Sequence, residues 1–129
     1  MNYIVDTYAW VDYFIGSKKG SIVREIIDDD KNLLITPSTC ITELHSWALR
    51  GNHKFNKLLE AVHANSEIED VSLQEWISAA KIRHEIKKKI NNFGLMDAVL
   101  IAKMEKHSAK ILTGDRHFKG IKNVEYIGR

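Results

Sequence analysis

The feature that most constrains the fold is an alternation of short apolar runs, rich in β-branched residues, with longer segments of helical spacing. The runs have strand length and lie at residues 3–6, 33–36, 68–71, 110–113 and 124–127. The segments between them predict helices over residues 7–15, 21–29, 37–50, 53–64, 72–89 and 95–107. Strands separated by helices need crossover connections, which favour a mostly parallel sheet with helices on both faces. The predicted fold class is therefore α/β.

Two local signals support this helix assignment. Ser72-Leu-Gln-Glu75 has the form of a capping box, in which the serine hydroxyl and the glutamate side chain bind free amides at a helix start. Pro37, the only proline, is expected to open the third helix.

Length and composition narrow the class of protein. The 129 residues carry no repeat or linker, so we expect a single domain over residues 1–129. The longest apolar run, residues 98–102, is far shorter than the roughly 18 residues of a membrane span. Asp6 and Asp12 stand where a signal peptide would be apolar, and Cys40 is the only cysteine, so we expect a cytoplasmic protein. The net charge of +2 permits a polyanionic partner without requiring one.

Two candidate functional acids follow strands. Asp6 closes the first predicted strand, and Asp115 follows the fourth through Thr113-Gly114. Because parallel sheets place their ligand sites at the carboxyl ends of the strands, we expect both carboxylates on one rim. Each also has a purely structural interpretation, since Asp-Thr is a common helix cap and Gly-Asp a common turn.

Two further acids interrupt apolar helix faces. Glu43 shares a stripe with Cys40, Leu44 and Trp47. Asp97 shares one with Phe93, Leu100, Ile101 and Met104, while Lys103, Lys106 and His107 are expected to reach water. A buried carboxylate costs several kcal/mol unless it is paired or binds a metal. The alternative is that each acid lies at a helix end near the rim and is partly hydrated.

If the four acids converge, a hard divalent cation such as Mg²⁺ or Mn²⁺ is the expected means of offsetting their repulsion. The six histidines form no recognisable zinc ligand pair. Magnesium-type sites favour phosphodiester chemistry, in which a metal-activated water attacks phosphorus. Near the rim, Arg116, His117 and Lys119 are placed to meet a phosphate backbone.

The ordered set of motifs resembles a PIN domain. It comprises Val5-Asp6-Thr7, Ile41-Thr-Glu-Leu44, Leu95-Met-Asp-Ala-Val-Leu-Ile-Ala102 and Thr113-Gly-Asp-Arg-His-Phe118. The resemblance spans nearly the whole chain, and the size and motif order are similar to the toxins of VapBC toxin–antitoxin pairs. Residues 50–89 carry no motif of that family.

This resemblance implies a three-layer α/β/α sandwich and a Mg²⁺- or Mn²⁺-dependent endoribonuclease that cleaves RNA. It also implies a homodimer and a cognate antitoxin that inserts into the active site. Asp6, Glu43, Asp97 and Asp115 match the family's catalytic and metal-binding acids. Thr7 and Thr113 match hydroxyl positions near the metal.

Three alternatives come from other classes. A receiver-type signalling domain needs an acidic pair after strand one, and a haloacid-dehalogenase-type phosphatase needs Asp-x-Asp, whereas residue 8 is Tyr. A non-catalytic PIN-like RNA-binding or scaffold module stays open, although retention of all four acids argues against it.

Some side chains are expected to be structural. Tyr8, Trp10, Trp47 and Trp76 have spacings more typical of core than of base stacking. The run of residues 87–89 is interpreted as a solvated helix end.

Overall fold

The computed structural model of the protein describes residues 1–128; Arg129, the last residue of the expected domain, lies outside them. The strands are β1 (Asn2–Val5), β2 (Leu33–Pro37), β3 (Glu67–Glu69), β4 (Lys110–Thr113) and β5 (Val124–Tyr126). The helices are α1 (Thr7–Ile15), α2 (Lys18–Asp28), α3 (Ser38–Arg50), α4 (Phe55–Asn65), α5 (Leu73–Ile86) and α6 (Leu95–His107). A short 3₁₀ helix spans Arg116–Phe118. The strands form one parallel sheet in the order β3-β2-β1-β4-β5.

The sheet separates two apolar layers, which confirms the predicted α/β sandwich. Ile4, Ile35 and Ile111 face a layer that includes α5 and α6. Their neighbours Val5, Leu34 and Leu112 point to the other side, against α1 to α4. Successive residues of a strand point to opposite faces, so strands covered on both sides are apolar throughout.

Several element boundaries differ from the sequence prediction. The second helix begins at Lys18 because the Ser17 hydroxyl caps it by accepting from the Gly20 amide. Pro37 ends β2 and precedes α3, so the expectation that it opens the helix was wrong by one residue. The third strand lies at Glu67–Glu69, not at residues 68–71. The capping box of Ser72 and Glu75 is confirmed.

The strand order places a crevice at a defined point of the sheet. The chain moves outward from β1 through β2 to β3, then returns to the other side of β1 for β4 and β5. In open parallel sheets such a reversal leaves a crevice at the carboxyl ends of the central strands, where ligands bind. The residues that follow β1 and β4 therefore border this crevice. Within residues 1–128, no helix is long and apolar enough to cross a membrane.

Candidate active site

Asp6 lies at the crevice, immediately after β1, and its side chain is only 4% exposed. It is the N-cap of α1, with Oδ1 accepting from the Thr7 amide at 2.7 Å. Its other oxygen, Oδ2, accepts from the Thr113 hydroxyl at 2.7 Å. The structural role anticipated for Asp6 is thus real, but capping occupies only one of its two oxygens.

Asp115 reaches the same rim from β4. The Thr113 hydroxyl, which donates to Asp6, also accepts from the Asp115 amide at 3.0 Å and so couples the two acids. Asp115 caps the 3₁₀ helix by accepting from the His117 amide at 3.0 Å through Oδ1. The side chain is 16% exposed, and capping uses only this one oxygen.

Glu43 joins the site from α3. The Thr7 hydroxyl donates to Glu43 Oε1 at 3.0 Å, which connects α3 to the start of α1. Cys40 and Leu44 on the same helix are buried, whereas Glu43 is exposed. Glu43 therefore lies at the edge of that face and is partly hydrated, as the alternative interpretation anticipated, although burial still raises its pKa.

Asp97 lies in the first turn of α6 and is partly hydrated, as the alternative interpretation anticipated. Its Oδ2 accepts from the Gly94 amide at 3.0 Å, which closes the helix start. The same oxygen lies 2.9 Å from Nδ1 of His117. Both contacts are made to the same carboxylate oxygen, Oδ2.

The structure gathers the four predicted acids into two adjoining groups. Asp6 and Glu43 share one group with Cys40, and Asp97 and Asp115 share the other with His117. Within each group the candidate ligand atoms lie within 4.8 Å of one another. Charge links the groups, because Asp97 and Asp115 both raise the pKa of Glu43, and Asp115 acts likewise on Asp6.

The pKa values show that the negative charge at Asp6 and Glu43 is poorly compensated. Burial, helped by the Glu43 carboxylate and opposed by the Thr113 hydrogen bond, raises the pKa of Asp6 to about 7. Burial also raises the pKa of Glu43, with the Thr7 hydrogen bond opposing it. At Tyr8, on the rim, burial and then all four carboxylates raise the pKa of the phenol.

A hard divalent cation fits this donor set. Convergent carboxylates with raised pKa values are stabilised by a nearby positive charge. Burial raises the pKa of the neighbouring Cys40 thiol well above its ordinary value, so this thiol stays protonated and is a poor metal ligand. Oxygen ligands of this kind suit Mg²⁺ or Mn²⁺. The threonine hydroxyls are already engaged by carboxylates, so in this structure they position acids.

A groove borders the acids on the side of α1 and α3. Its volume is about 320 Å³, and its lining residues are Thr7, Tyr8, Val11, Glu43, Trp47 and Arg50. Tyr8 is 55% exposed and Trp76, on α5, is 38% exposed, so the expectation that they are core residues was wrong. Trp10 is fully buried as expected. Trp47 is half-buried and stacks on His53, with ring centroids 4.3 Å apart.

His117 lies at the site as predicted, but its contacts differ from those expected. His117 was expected to meet a phosphate, whereas its Nδ1 contacts Asp97 and lies 4.0 Å from Asp115 Oδ1. The proximity of His117 to Asp115 follows from their spacing of two residues, because Asp115 caps the 3₁₀ turn that contains His117. Its partner Asp97, twenty residues earlier, could be found only in three dimensions.

The fold and the acidic crevice define a known class of protein. A family model described as PIN domain matches residues 3–124, and the chain belongs to this family. Among curated protein sequences, none matches the chain significantly.

Solved structures with the same fold include components of toxin–antitoxin systems. VapBC2 from Rickettsia felis, bound to a DNA fragment from its promoter, is similar with 20% identity, 96% of each chain covered and a TM-score of 0.73. A toxin–antitoxin complex from Klebsiella pneumoniae has 19% identity, 97% coverage of each chain and a TM-score of 0.75. VapC20 from Mycobacterium tuberculosis, described as a sarcin–ricin loop cleaving toxin, has 16% identity, 97% and 98% coverage, and a TM-score of 0.75.

Proposed function

We propose that this protein is a Mg²⁺- or Mn²⁺-dependent endoribonuclease and the toxin of a toxin–antitoxin pair. The observation that carries the proposal is the meeting of Asp6, Glu43, Asp97 and Asp115 at the carboxyl edge of the sheet, where burial raises the pKa values of Asp6 and Glu43. Such an arrangement is costly for a purely structural site and useful for binding cations beside a phosphodiester.

The four acids would hold one or more cations, and the substrate phosphate would lie beside the cations. When bound, Mg²⁺ or Mn²⁺ activates water and neutralises charge that develops on the phosphoryl oxygens. Thr113 and the Thr7 amide fix the Asp6 carboxylate from two sides. Thr7 orients Glu43 through its hydroxyl, and Gly94 and His117 hold one oxygen of Asp97. Carboxylates fixed in this way need little reorganisation when the substrate binds.

The toxin role and the antitoxin partner rest on the fold that the chain shares with toxin–antitoxin proteins. An antitoxin segment inserted in the groove of Tyr8, Trp47 and Arg50 would lie directly against Glu43 and block access to the acids. The homodimer expected from the family resemblance remains a prediction. Size-exclusion chromatography with light scattering would measure it.

The decisive experiment compares wild-type protein with Asp97→Asn on a labelled single-stranded RNA. We expect cleavage with Mg²⁺ or Mn²⁺, none with EDTA, and a loss of about a hundredfold or more in Asp97→Asn, because several kcal/mol of metal-dependent stabilisation is removed. Asp30→Asn is the matched control, since Asp30 is an exposed acid in the turn after α2.

Circular dichroism should show that Asp97→Asn is folded. Undiminished cleavage by this variant, or equal cleavage in EDTA, would exclude the proposed site. A folded wild-type protein that binds RNA but never cleaves it would favour the non-catalytic RNA-binding alternative.

A further inference from the structure

The C-terminal end of α5 and the turn after it form a basic surface outside the acidic site. This basic α5 end consists of Arg83, His84, Lys87, Lys88 and Lys89. All except Arg83, which is half-buried, are exposed, and several of them line a shallow depression of about 410 Å³. Residues 81–89 contain five Lys or Arg and one acid, Glu85, in a chain whose net charge is only +2. The rest of the chain is therefore net negative.

Packing of α5 on α6 places this surface at the same end of the molecule as the acids. Near the start of α5, Glu75 contacts Lys103 on the last turns of α6 at 3.0 Å. At the other end of α5, Arg83 Nε donates to the carbonyl of Phe93, just before α6 begins, at 3.3 Å. The two helices are thus antiparallel, and the end of α5 lies beside the start of α6, where Asp97 is located.

Backbone hydrogen bonds order the segment that joins the basic α5 end to α6. The Lys87 amide donates to the Arg83 carbonyl at 2.8 Å, and the amides of Lys89 and Ile90 both donate to the Ile86 carbonyl at 2.9 Å. Phe93, which follows this turn, is buried, and its ring centroid lies 5.6 Å from that of Phe118, the residue after His117. The lysines are therefore presented from a structured turn beside the site.

A solvated helix end explains only part of this charge. A cation near a helix C-terminus stabilises the helix by about 0.3–1 kcal/mol, and the effect falls off within the last turn. Arg83 and His84 lie in that turn. Lys87 and Lys89 lie at or beyond the end of α5, and among residues 1–128 neither forms an ion pair, whereas Lys88 pairs with Glu85 at 3.3 Å.

We propose that the basic α5 end binds the phosphates of single-stranded RNA and guides the strand toward Asp97. The inference rests on the proposed ribonuclease function and extends it to a substrate-binding surface. RNA is favoured as the occupant because the acidic crevice repels a polyanion, and cations at the same end of the molecule offset this repulsion.

The test measures how RNA affinity depends on salt. Fluorescence anisotropy with a labelled single-stranded RNA, in EDTA to prevent cleavage, compares wild-type protein with the triple variant Lys87→Gln/Lys88→Gln/Lys89→Gln. Each phosphate contact on a single strand contributes about −0.7 to the slope of log K against log salt, so loss of two or three contacts flattens it by about 1.4–2.1.

A matched control removes the same charge elsewhere. Lys18→Gln/Lys31→Gln/Lys122→Gln changes three exposed lysines near the amino ends of the strands, away from the acids. Lys31 and Lys122 precede β2 and β5, and Lys18 follows the end of α1. We expect this variant to keep the wild-type slope within about 0.5, because no specific contact is lost. A triple Lys→Arg variant at residues 87–89 keeps the charge and should also keep the slope.

Three outcomes would overturn the inference. Equal flattening in both glutamine variants would show a net-charge effect, and no flattening in either would leave the surface without a role in RNA binding. Loss of binding to a ten-glutamate peptide with RNA binding intact would point to an acidic protein partner. If the wild-type protein cleaves RNA while the slopes are equal, only this inference fails; if it neither binds nor cleaves RNA, the proposed function fails too.

Discussion

Charged side chains meet near both ends of helix α6, and the two groups have opposite electrostatic character. Near its start, Asp97 belongs to a cluster of carboxylates in which the pKa values of Asp6 and Glu43 are raised. Near its end, the fully buried Lys103 binds Glu69, Glu75 at 3.0 Å and the carbonyl of Asp70 at 2.6 Å.

The pKa values of Glu69 and Glu75 move the other way. Burial alone would raise the pKa of Glu75, but hydrogen bonds from Ser72 and Lys103 and the Lys103 charge lower it. Glu69 behaves similarly, with Lys103 and His107 as its partners. The carboxylates around Lys103 are paired within the chain, whereas in the other cluster burial keeps the pKa values of Asp6 and Glu43 raised. Raised carboxylate pKa values of this kind are typical of binding and catalytic sites, which supports the site proposed above.

The largest expected effect on stability is at Lys103. Lys103→Met leaves Glu69 and Glu75 without their cation, and breaking a buried pair from one side costs about 3–5 kcal/mol. Urea denaturation would measure this loss. Lys88→Met, which removes an exposed pair with Glu85, should change the free energy of unfolding by less than about 0.5 kcal/mol.

The double variant Lys103→Met/Glu75→Gln should recover part of the loss, because the unpaired carboxylate is then neutral. If the single variant were as stable as wild type, the distinction between the paired carboxylates around Lys103 and the cluster of Asp6 and Glu43 would fail.

A substitution at Asp6 is expected to increase the free energy of unfolding, in contrast to the loss expected at Lys103. Asp6→Asn removes a charge from the cluster of Asp6 and Glu43, so the metal-free protein should gain about 1–2 kcal/mol of stability at pH 8 while losing the proposed nuclease activity. Urea denaturation in EDTA measures the gain. Added Mn²⁺ should raise the melting temperature of wild type much more than that of the variant. A destabilised Asp6→Asn protein would indicate that capping of α1 outweighs repulsion.

A smaller effect is expected at His117, through its contact with Asp97. The amide of His117→Asn replaces Nδ1 as a hydrogen-bond donor, whereas that of His117→Gln stands nearer the position of Nε2. We expect Mn²⁺ affinity, measured by calorimetry, to fall about tenfold in the glutamine variant and by no more than about twofold in the asparagine variant. Equal losses in both would show that donation to Asp97 is not what matters.

The smallest effect is a change in pH dependence. Because the folded-state pKa of Glu75 lies below its ordinary value of 4.5, ionisation of Glu75 contributes stability above that value, and this contribution is lost as pH falls through the lower, folded-state pKa. Urea midpoints between about pH 6 and pH 3 should therefore fall less steeply in Glu75→Gln than in wild type. Glu105→Gln, an exposed control on α6, should follow the wild-type curve.

The amino-acid sequence predicted most of the fold because its signals are local. Apolar runs of strand length, helical spacing and the Ser72 capping box each depend on neighbouring residues. The rim positions of Asp6 and Asp115 followed from the same logic, since a residue after a parallel strand must lie at its carboxyl edge. Boundaries such as that of α2 were missed because the Ser17 cap competes with a similar signal at Ser21.

Which charged side chains meet depends on the packing of elements that are distant in the sequence. Lys103 was expected to reach water, yet it is fully buried because β3 and the start of α5 bring Glu69 and Glu75 to it from 34 and 28 residues away, respectively. Tertiary packing likewise brings His117 to Asp97 and places the basic α5 end beside α6. Helical spacing reports which side of a helix a residue occupies, but the free energy of a charge there depends on partners that the sequence leaves far apart.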